Sequence, residues 1–201
     1  MSTCIMPWTV KRILKHLIGS IDYGILYESG GRQLDVSLHD YSDADFAGNV
    51  DTHKSTTGYA FCVNSSLVTW SSQRQKLVTL STTELEYVAA ATACKEVVWL
   101  RQLLTDLGCY LKQPTTLFVD NQSTIRLIRN PEFHKRTKHI DVKFHFIREK
   151  VEDKSIYVKY LFTNEQLSDL FTKGLTRNRF KYLCGKLNIV EIKHINGGSV
   201  D

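Results

Sequence analysis

Acidic side chains at four places in this 201-residue chain could do chemistry together. Asp43 ends the run His39-Asp-Tyr-Ser-Asp43, and Glu86 lies in the first turns of a long helical pattern. Asp120 follows the compact apolar run 115–119, and Asp169 falls in a late helical segment. Carboxylates at the ends of neighbouring strands, joined by others from flanking helices, form a negative pocket that is costly through mutual repulsion unless cations neutralise it. Two hard divalent ions with oxygen ligands would do so, and ions about 3.5–4 Å apart serve phosphodiester chemistry. Plainer roles stay open for each residue. Asp43 and Asp120 come just before turns or helices, where Asp acts as an Asx-turn or N-cap residue, and Asp169 could be a solvated helix residue. A calcium loop is excluded. Asp43-Ala-Asp45-Phe-Ala47-Gly48 opens like one but has Ala47 at its fifth position and Lys54 in place of the closing glutamate.

The elements that must position these groups can be read from periodicity. Val10, Ile13, Leu14, Leu17 and Ile18 have helical spacing within 8–18, with Gly19 as the stop. Strands are expected at 25–27, 34–41, 58–63 and 67–71, with turns at Gly30–Gly31 and at Asn64-Ser-Ser66. A long helix is expected over 82–107, ended by Gly108, then a strand at 115–119 and a helix at 121–129. A helix over 139–151, a strand at 156–162 and a helix over 165–172, opened by the capping box Thr163-x-x-Gln166, complete the series. The tail from Ile195 to Asp201 is polar and expected to fray. The early strands should form an antiparallel meander, and later strands reached through helices should add in parallel. The fold class expected is α/β, a mixed five-stranded sheet with flanking helices.

Composition narrows the function. With 42% hydrophobic and 23% charged residues the chain suits a packed globule. No apolar run approaches the roughly 18–20 residues of a membrane span, and the N-terminus lacks a signal-peptide pattern. No membrane partner is expected, and the expected location is inside the cell, in the cytoplasm, nucleus or a virus-like particle. The five cysteines are scattered, without C-x-x-C or zinc spacing, and read as free thiols. The net charge of +5 comes from residues 131–201, which carry 14 basic and nine acidic side chains. Localised basic charge suits a polyanion such as nucleic acid. The stretch His134-Lys-Arg-Thr-Lys-His139 is its densest part, and Lys135, Arg136 and Lys138 are candidate phosphate contacts, with a solvated loop as the alternative. Trp70 and Trp99 are expected to fill the core or pack on the sheet.

Several motifs run in a characteristic order: Tyr41-Ser-Asp-Ala-Asp-Phe-Ala-Gly48, Lys54-Ser-Thr-Thr-Gly-Tyr59, Thr69-Trp-Ser-Ser-Gln73 and Ser81-Thr-Thr-Glu-Leu-Glu-Tyr87. Val119-Asp-Asn-Gln-Ser123, His134-Lys-Arg-Thr-Lys-His-Ile-Asp141 and Gln166-Leu-Ser-Asp-Leu-Phe-Thr-Lys173 continue it. The series, from Trp8 to Leu187, resembles the ribonuclease H region of copia-type retrotransposon (retrovirus-related) Pol polyproteins. The resemblance implies a ribonuclease H-like fold that cuts the RNA strand of RNA/DNA hybrids using two Mg²⁺ ions, with Mn²⁺ as a substitute. It places the catalytic and metal-ligating carboxylates at Asp43, Glu86, Asp120 and Asp169, and makes the reverse transcriptase domain of the same polyprotein a partner. Residues 1–33 then read as a remnant of the connecting region, 34–175 as the ribonuclease H-like domain, and 176–201 as a C-terminal helix and tail. Phe46 stands where the family usually has tryptophan, the connection Leu161-Phe-Thr-Asn164 before the last helix of the domain lacks the histidine found there in some ribonucleases H, and the polymerase Tyr-x-Asp-Asp core is absent. The competing readings are an inactive or host-adopted remnant serving as an interaction module, and an integrase-like transposase. Retention of all four carboxylates speaks against the first. Against the second, only Glu152, Glu165 and Glu191 lie well downstream of Asp120.

Two glutamates compete for the helix position. Ser81 is a good N-cap, and Glu84 then falls where a capping-box glutamate reaches back to the cap amide. Glu86 lies about 200° around the helix from Glu84, so both cannot enter one pocket. Glu86 has no capping duty and shares its face with Ala89 and Ala90, which favours it as the ligand.

Overall fold

Residues 6–27, 36–46, 55–75, 81–109, 111–130 and 138–192 are described by the computed structural model. The chain begins with helix α1 (Met6–Ser20) and the short strand β1 (Tyr23–Ile25). Strands β2 (Leu38–Asp45), β3 (Thr56–Val63) and β4 (Ser66–Arg74) follow. Helix α2 (Thr82–Asp106), strand β5 (Thr115–Val119), and helices α3 (Gln122–Arg129) and α4 (Lys138–Glu152) lead to β6 (Ile156–Tyr160). A 3₁₀ turn (Thr163–Glu165), the four-residue helix α5 (Asp169–Thr172), helix α6 (Arg177–Lys186) and strand β7 (Ile189–Glu191) complete the series.

The main sheet has five strands in the order β4-β3-β2-β5-β6. β2, β3 and β4 pair antiparallel, while β5 pairs parallel with both β2 and β6. This is the mixed α/β sheet expected from the sequence, a ribonuclease H-like arrangement. The antiparallel pairs need only short turns, and the parallel ones are reached through α2 and through α3 and α4. One face of the sheet is covered by α2, α3 and α4, with Phe61, Leu117, Val119 and Val158 packed on Tyr87, Cys94, Val97, Ile128 and Ile147. The other face carries Leu167, Leu183 and Leu187 against Ala60, Cys62 and Leu67. β1 and β7, from the two ends of the chain, pair antiparallel as a separate small sheet.

Helix α2 positions the site and is built as its sequence suggests. The Ser81 side chain accepts the Glu84 amide at 3.2 Å, and Gly108 follows the last turn at φ +77°, a conformation open to glycine at no steric cost. Its run Ala89-Ala-Ala91 is buried, so the helix axis can approach the sheet closely.

Three expectations are corrected. The strand placed at 34–41 continues to Asp45, because pairing with β3 holds as far as Asp45 opposite Thr56; residues 34 and 35 lie outside those described. The capping box at Thr163 does not form. The Thr163 hydroxyl donates to Asp120 Oδ2 at 3.1 Å and the buried Gln166 Nε2 donates to the Ser42 carbonyl at 2.9 Å, leaving only a 3₁₀ turn where a helix start was expected. Neither Trp70 nor Trp99 fills the core, at 52% and 55% exposure, while Trp70, on β4, stacks on Phe171 with ring centroids 6.3 Å apart. The tail from Ile195, the Gly30–Gly31 turn and residues 131–137 lie outside the described residues. Cys62, Cys94, Cys109 and Cys184 are free thiols, and no described helix is long and apolar enough to cross a membrane.

Candidate metal centre

Asp43 lies inside β2 opposite Gly58, Asp120 directly follows β5, and Glu86 projects from the second turn of α2. Because β2 and β5 are parallel neighbours, both aspartates reach the same end of the sheet, and α2 crosses there. One carboxylate oxygen from each of the three lies within 4.8 Å of the others. Asp43 and Glu86 are buried, at 1% and 7% exposure, and Asp120 is half-buried. Glu84, by contrast, is not part of the cluster.

The cluster is electrostatically loaded. Burial pushes Glu86 up to about 9, helped by the charges of Asp43 and Asp120. Burial likewise raises Asp43, although Lys173 and the Thr172 hydroxyl oppose it, and raises Asp120 against Lys173 and Thr163. Glu86 Oε1 accepts the Ala44 amide at 3.3 Å, whereas Oε2 is buried without a hydrogen-bond partner among the described residues. An orphaned oxygen facing two other carboxylates is what a hard cation's ligand set looks like, so these residues fit a Mg²⁺- or Mn²⁺-type ion.

Asp169, the fourth expected residue, is buried but is occupied otherwise. Its Oδ1 accepts from Lys173 Nζ at 2.7 Å and its Oδ2 from Arg179 Nη2 at 3.3 Å. The same Lys173 ammonium reaches Asp43 Oδ1 at 3.1 Å, so the fourth carboxylate is tied to the cluster through a shared lysine. Burial alone would lower the pKa of Lys173, but Asp43 and Asp169 outweigh it and raise it. Thr172 donates to Asp43 Oδ2, completing the clamp from α5.

Lys173, Thr172 and Arg179 were not singled out by sequence reasoning, and Thr163 was read only as a helix cap. The signal available for Lys173 was its spacing of four from Asp169, which puts the two on one helical face. Lys135 and Arg136 lie outside the described residues, and Lys138 opens α4.

Known proteins are similar to this chain in sequence and in fold. The chain is 39% identical over 189 residues to the retrovirus-related Pol polyprotein from transposon RE2 of Arabidopsis thaliana, covering 94% of this chain. It is 44% identical over 178 residues, 89% of this chain, to the corresponding polyprotein from transposon TNT 1-94 of Nicotiana tabacum. The chain belongs with the Pol polyproteins of copia-type retrotransposons. It spans 13% of the length of each of these two relatives. No protein-family model matches it. Among solved structures it is similar to LC11-RNase H1, an enzyme isolated from compost and solved in complex with an RNA/DNA hybrid. That match has a TM-score of 0.50 at 11% identity, covering 68% of this chain and 94% of the other. The Pol-type chain thus has a ribonuclease H fold, with three of the four expected carboxylates gathered at one end of its sheet.

Proposed function

We propose that this chain hydrolyses the RNA strand of RNA/DNA hybrids, using divalent ions held by Asp43, Glu86 and Asp120, with Asp169 as the fourth ligand. The observation that carries the reading is the cluster of three carboxylates with its orphaned Glu86 oxygen, on a ribonuclease H fold. A bound divalent ion polarises the phosphoryl group and lowers the pKa of water, the chemistry that phosphodiester hydrolysis requires. The chain's own residues do the rest. Asp43 and Asp120 present charge from rigid strand ends. Glu86, whose burial favours its protonated form, would offer its unpartnered Oε2 to the ion. Lys173 and Thr172 fix Asp43, while Thr163 fixes Asp120. Water attacks phosphorus, the P–O3′ bond breaks, and the strand is left with a 5′-phosphate and a 3′-hydroxyl.

Lys135, Arg136 and Lys138 are proposed to contact the hybrid's phosphates. Recognition through phosphates and 2′-hydroxyls gives little sequence preference. The reverse transcriptase part of such a polyprotein is the proposed partner.

The test is a panel of end-labelled duplexes incubated with purified chain in Mg²⁺ and in EDTA. RNA in the hybrid should be cut, in Mg²⁺ only, and DNA duplex left whole. Cleavage in EDTA, or preferential cutting of the DNA duplex, would overturn the reading.

A further inference from the structure

A second feature lies away from the carboxylates. Between α1 and α6 is a cavity of about 380 Å³ whose walls include Lys15, His16, Arg177 and Lys181, with Tyr23 and Phe180. No Asp or Glu is among the described residues lining it. None of the ion pairs among the described residues involves Lys15, Arg177 or Lys181.

The orientation of α1 makes this arrangement informative. Val10, Ile13, Leu14, Leu17 and Ile18 form an apolar stripe, and all are between 49% and 74% exposed. The α1 residues that line the cavity are instead Lys15, His16, Gly19 and Ser20, so the side of the helix toward α6 is polar and basic. His16 meets the edge of Phe180 with ring centroids 6.4 Å apart, so the two helices are in contact across this face. Bringing two cationic helix faces together is unfavourable unless negative charge lies between them.

Two elements link the cavity to the carboxylates. Leu170, next in sequence to Asp169, lines it, and α6 carries Arg179, which holds Asp169.

We propose that the α1–α6 groove binds the phosphate backbone of nucleic acid, extending the substrate footprint from the metal centre onto α1. This rests on the reading of the chain as a nuclease of hybrids. Phosphate diesters supply the missing negative charge, while Tyr23 and Phe180 offer apolar surface to sugars. Each phosphate neutralised here releases condensed counterions, which gives the groove a salt-dependent share of affinity.

The test compares wild type with Lys15→Glu/Lys181→Glu and with Lys15→Gln/Lys181→Gln. Hybrid binding is followed by fluorescence anisotropy in EDTA over a range of salt, and folding by thermal melting. Both variants should melt like wild type, since the two lysines are exposed. The charge-reversed variant should bind about tenfold or more weakly, with the slope of log affinity against log salt smaller by about two. The neutral variant should show the same change of slope with a smaller loss. Wild-type affinity and slope in both variants would overturn the groove. So would displacement of the hybrid by inorganic phosphate at matched ionic strength, which would assign a small-anion pocket instead. A wild type that binds hybrid but never cuts it would overturn the nuclease reading alone, because the anisotropy arm judges the groove independently.

Discussion

Lys173 and Asp43 are 130 residues apart in sequence, and the lysine's ammonium donates to the aspartate's Oδ1 at 3.1 Å. The same nitrogen lies 2.7 Å from Asp169, so one positive charge is shared by two buried carboxylates that would otherwise repel. Lys173 thus acts as the resident counter-charge of the centre. Replacing it by Met should cost about 1–3 kcal/mol in chelator at mildly alkaline pH, between the losses usual for exposed and for buried ion pairs. Mn²⁺ should recover more stability in the variant than it adds to wild type. Thermal melts with and without metal measure both, and an unchanged melting temperature in chelator would show that the pair carries no stability.

Gly58 is the second position on which α5 depends. It stands opposite Asp43 in the β2–β3 register, and a Cβ there would come within 2.7 Å of Thr172 Cγ2 and 3.1 Å of Phe171 Cβ. Gly58→Ala must push α5 off the sheet and carry Thr172 and Lys173 away from Asp43. A loss of about 1–3 kcal/mol, as for other overpacked sites, is expected. Cleavage activity should fall as well. Native activity with a native denaturation midpoint would mean that α5 need not lie this close.

Much of this was legible in the sequence, for identifiable reasons. The ends of α2 followed from Ser81 and Gly108, and β5 from its compact apolar run, because these signals are local. Glu86 could be preferred over Glu84 because a capping role accounted for Glu84, and Glu86 is indeed the one brought to Asp43 and Asp120. β2 was drawn too short because Ser42, Asp43 and Asp45 look like turn residues. Their place in a strand follows from pairing with β3, which periodicity does not report. The Thr163 cap failed for a similar reason: its hydroxyl serves Asp120, 43 residues away. Lys173 joining Asp43 to Asp169 is likewise a long-range contact, visible in sequence only as the local spacing to Asp169.

Asp43→Asn separates chemistry from folding. Asn keeps the shape and one acceptor oxygen, which can serve Lys173 while its amide nitrogen donates to the Thr172 hydroxyl, but it removes one of three clustered charges whose burial is unfavourable. Cleavage should be abolished, while the melting temperature in EDTA stays level or rises. Near-native turnover would remove Asp43 from the ligand set, and a marked drop in melting temperature would show that its charge stabilises the fold.

The pH dependence follows from Glu86. Its carboxyl is raised from 4.5 to about 9 in the folded state, chiefly by burial. Between those values the folded protein keeps a proton that the unfolded chain has released. Metal-free stability should therefore be fullest below about pH 4.5 as far as this group is concerned, and fall as pH rises toward 9. Asp43 and Asp120, also raised, act in the same sense. A bound cation must displace the proton, so apparent Mg²⁺ affinity should climb over the same range. Urea midpoints in chelator and with Mg²⁺ check this. Stability that rises with pH in chelator would contradict it, as would a Glu86→Gln variant with the wild-type slope.

The central claim is that Asp43, Glu86 and Asp120 hold the ion that cuts the RNA strand of a hybrid. Its most direct test is single-turnover cleavage of the labelled RNA strand across a Mg²⁺ titration, comparing wild type, Glu86→Gln and Glu84→Gln. Glu86→Gln should lose nearly all Mg²⁺-dependent cleavage at every concentration, with little change in stability. Glu84→Gln should keep most activity and most of its stability, since Gln serves the same position of a capping box. The reverse ranking, or undiminished cleavage by Glu86→Gln, would contradict the account.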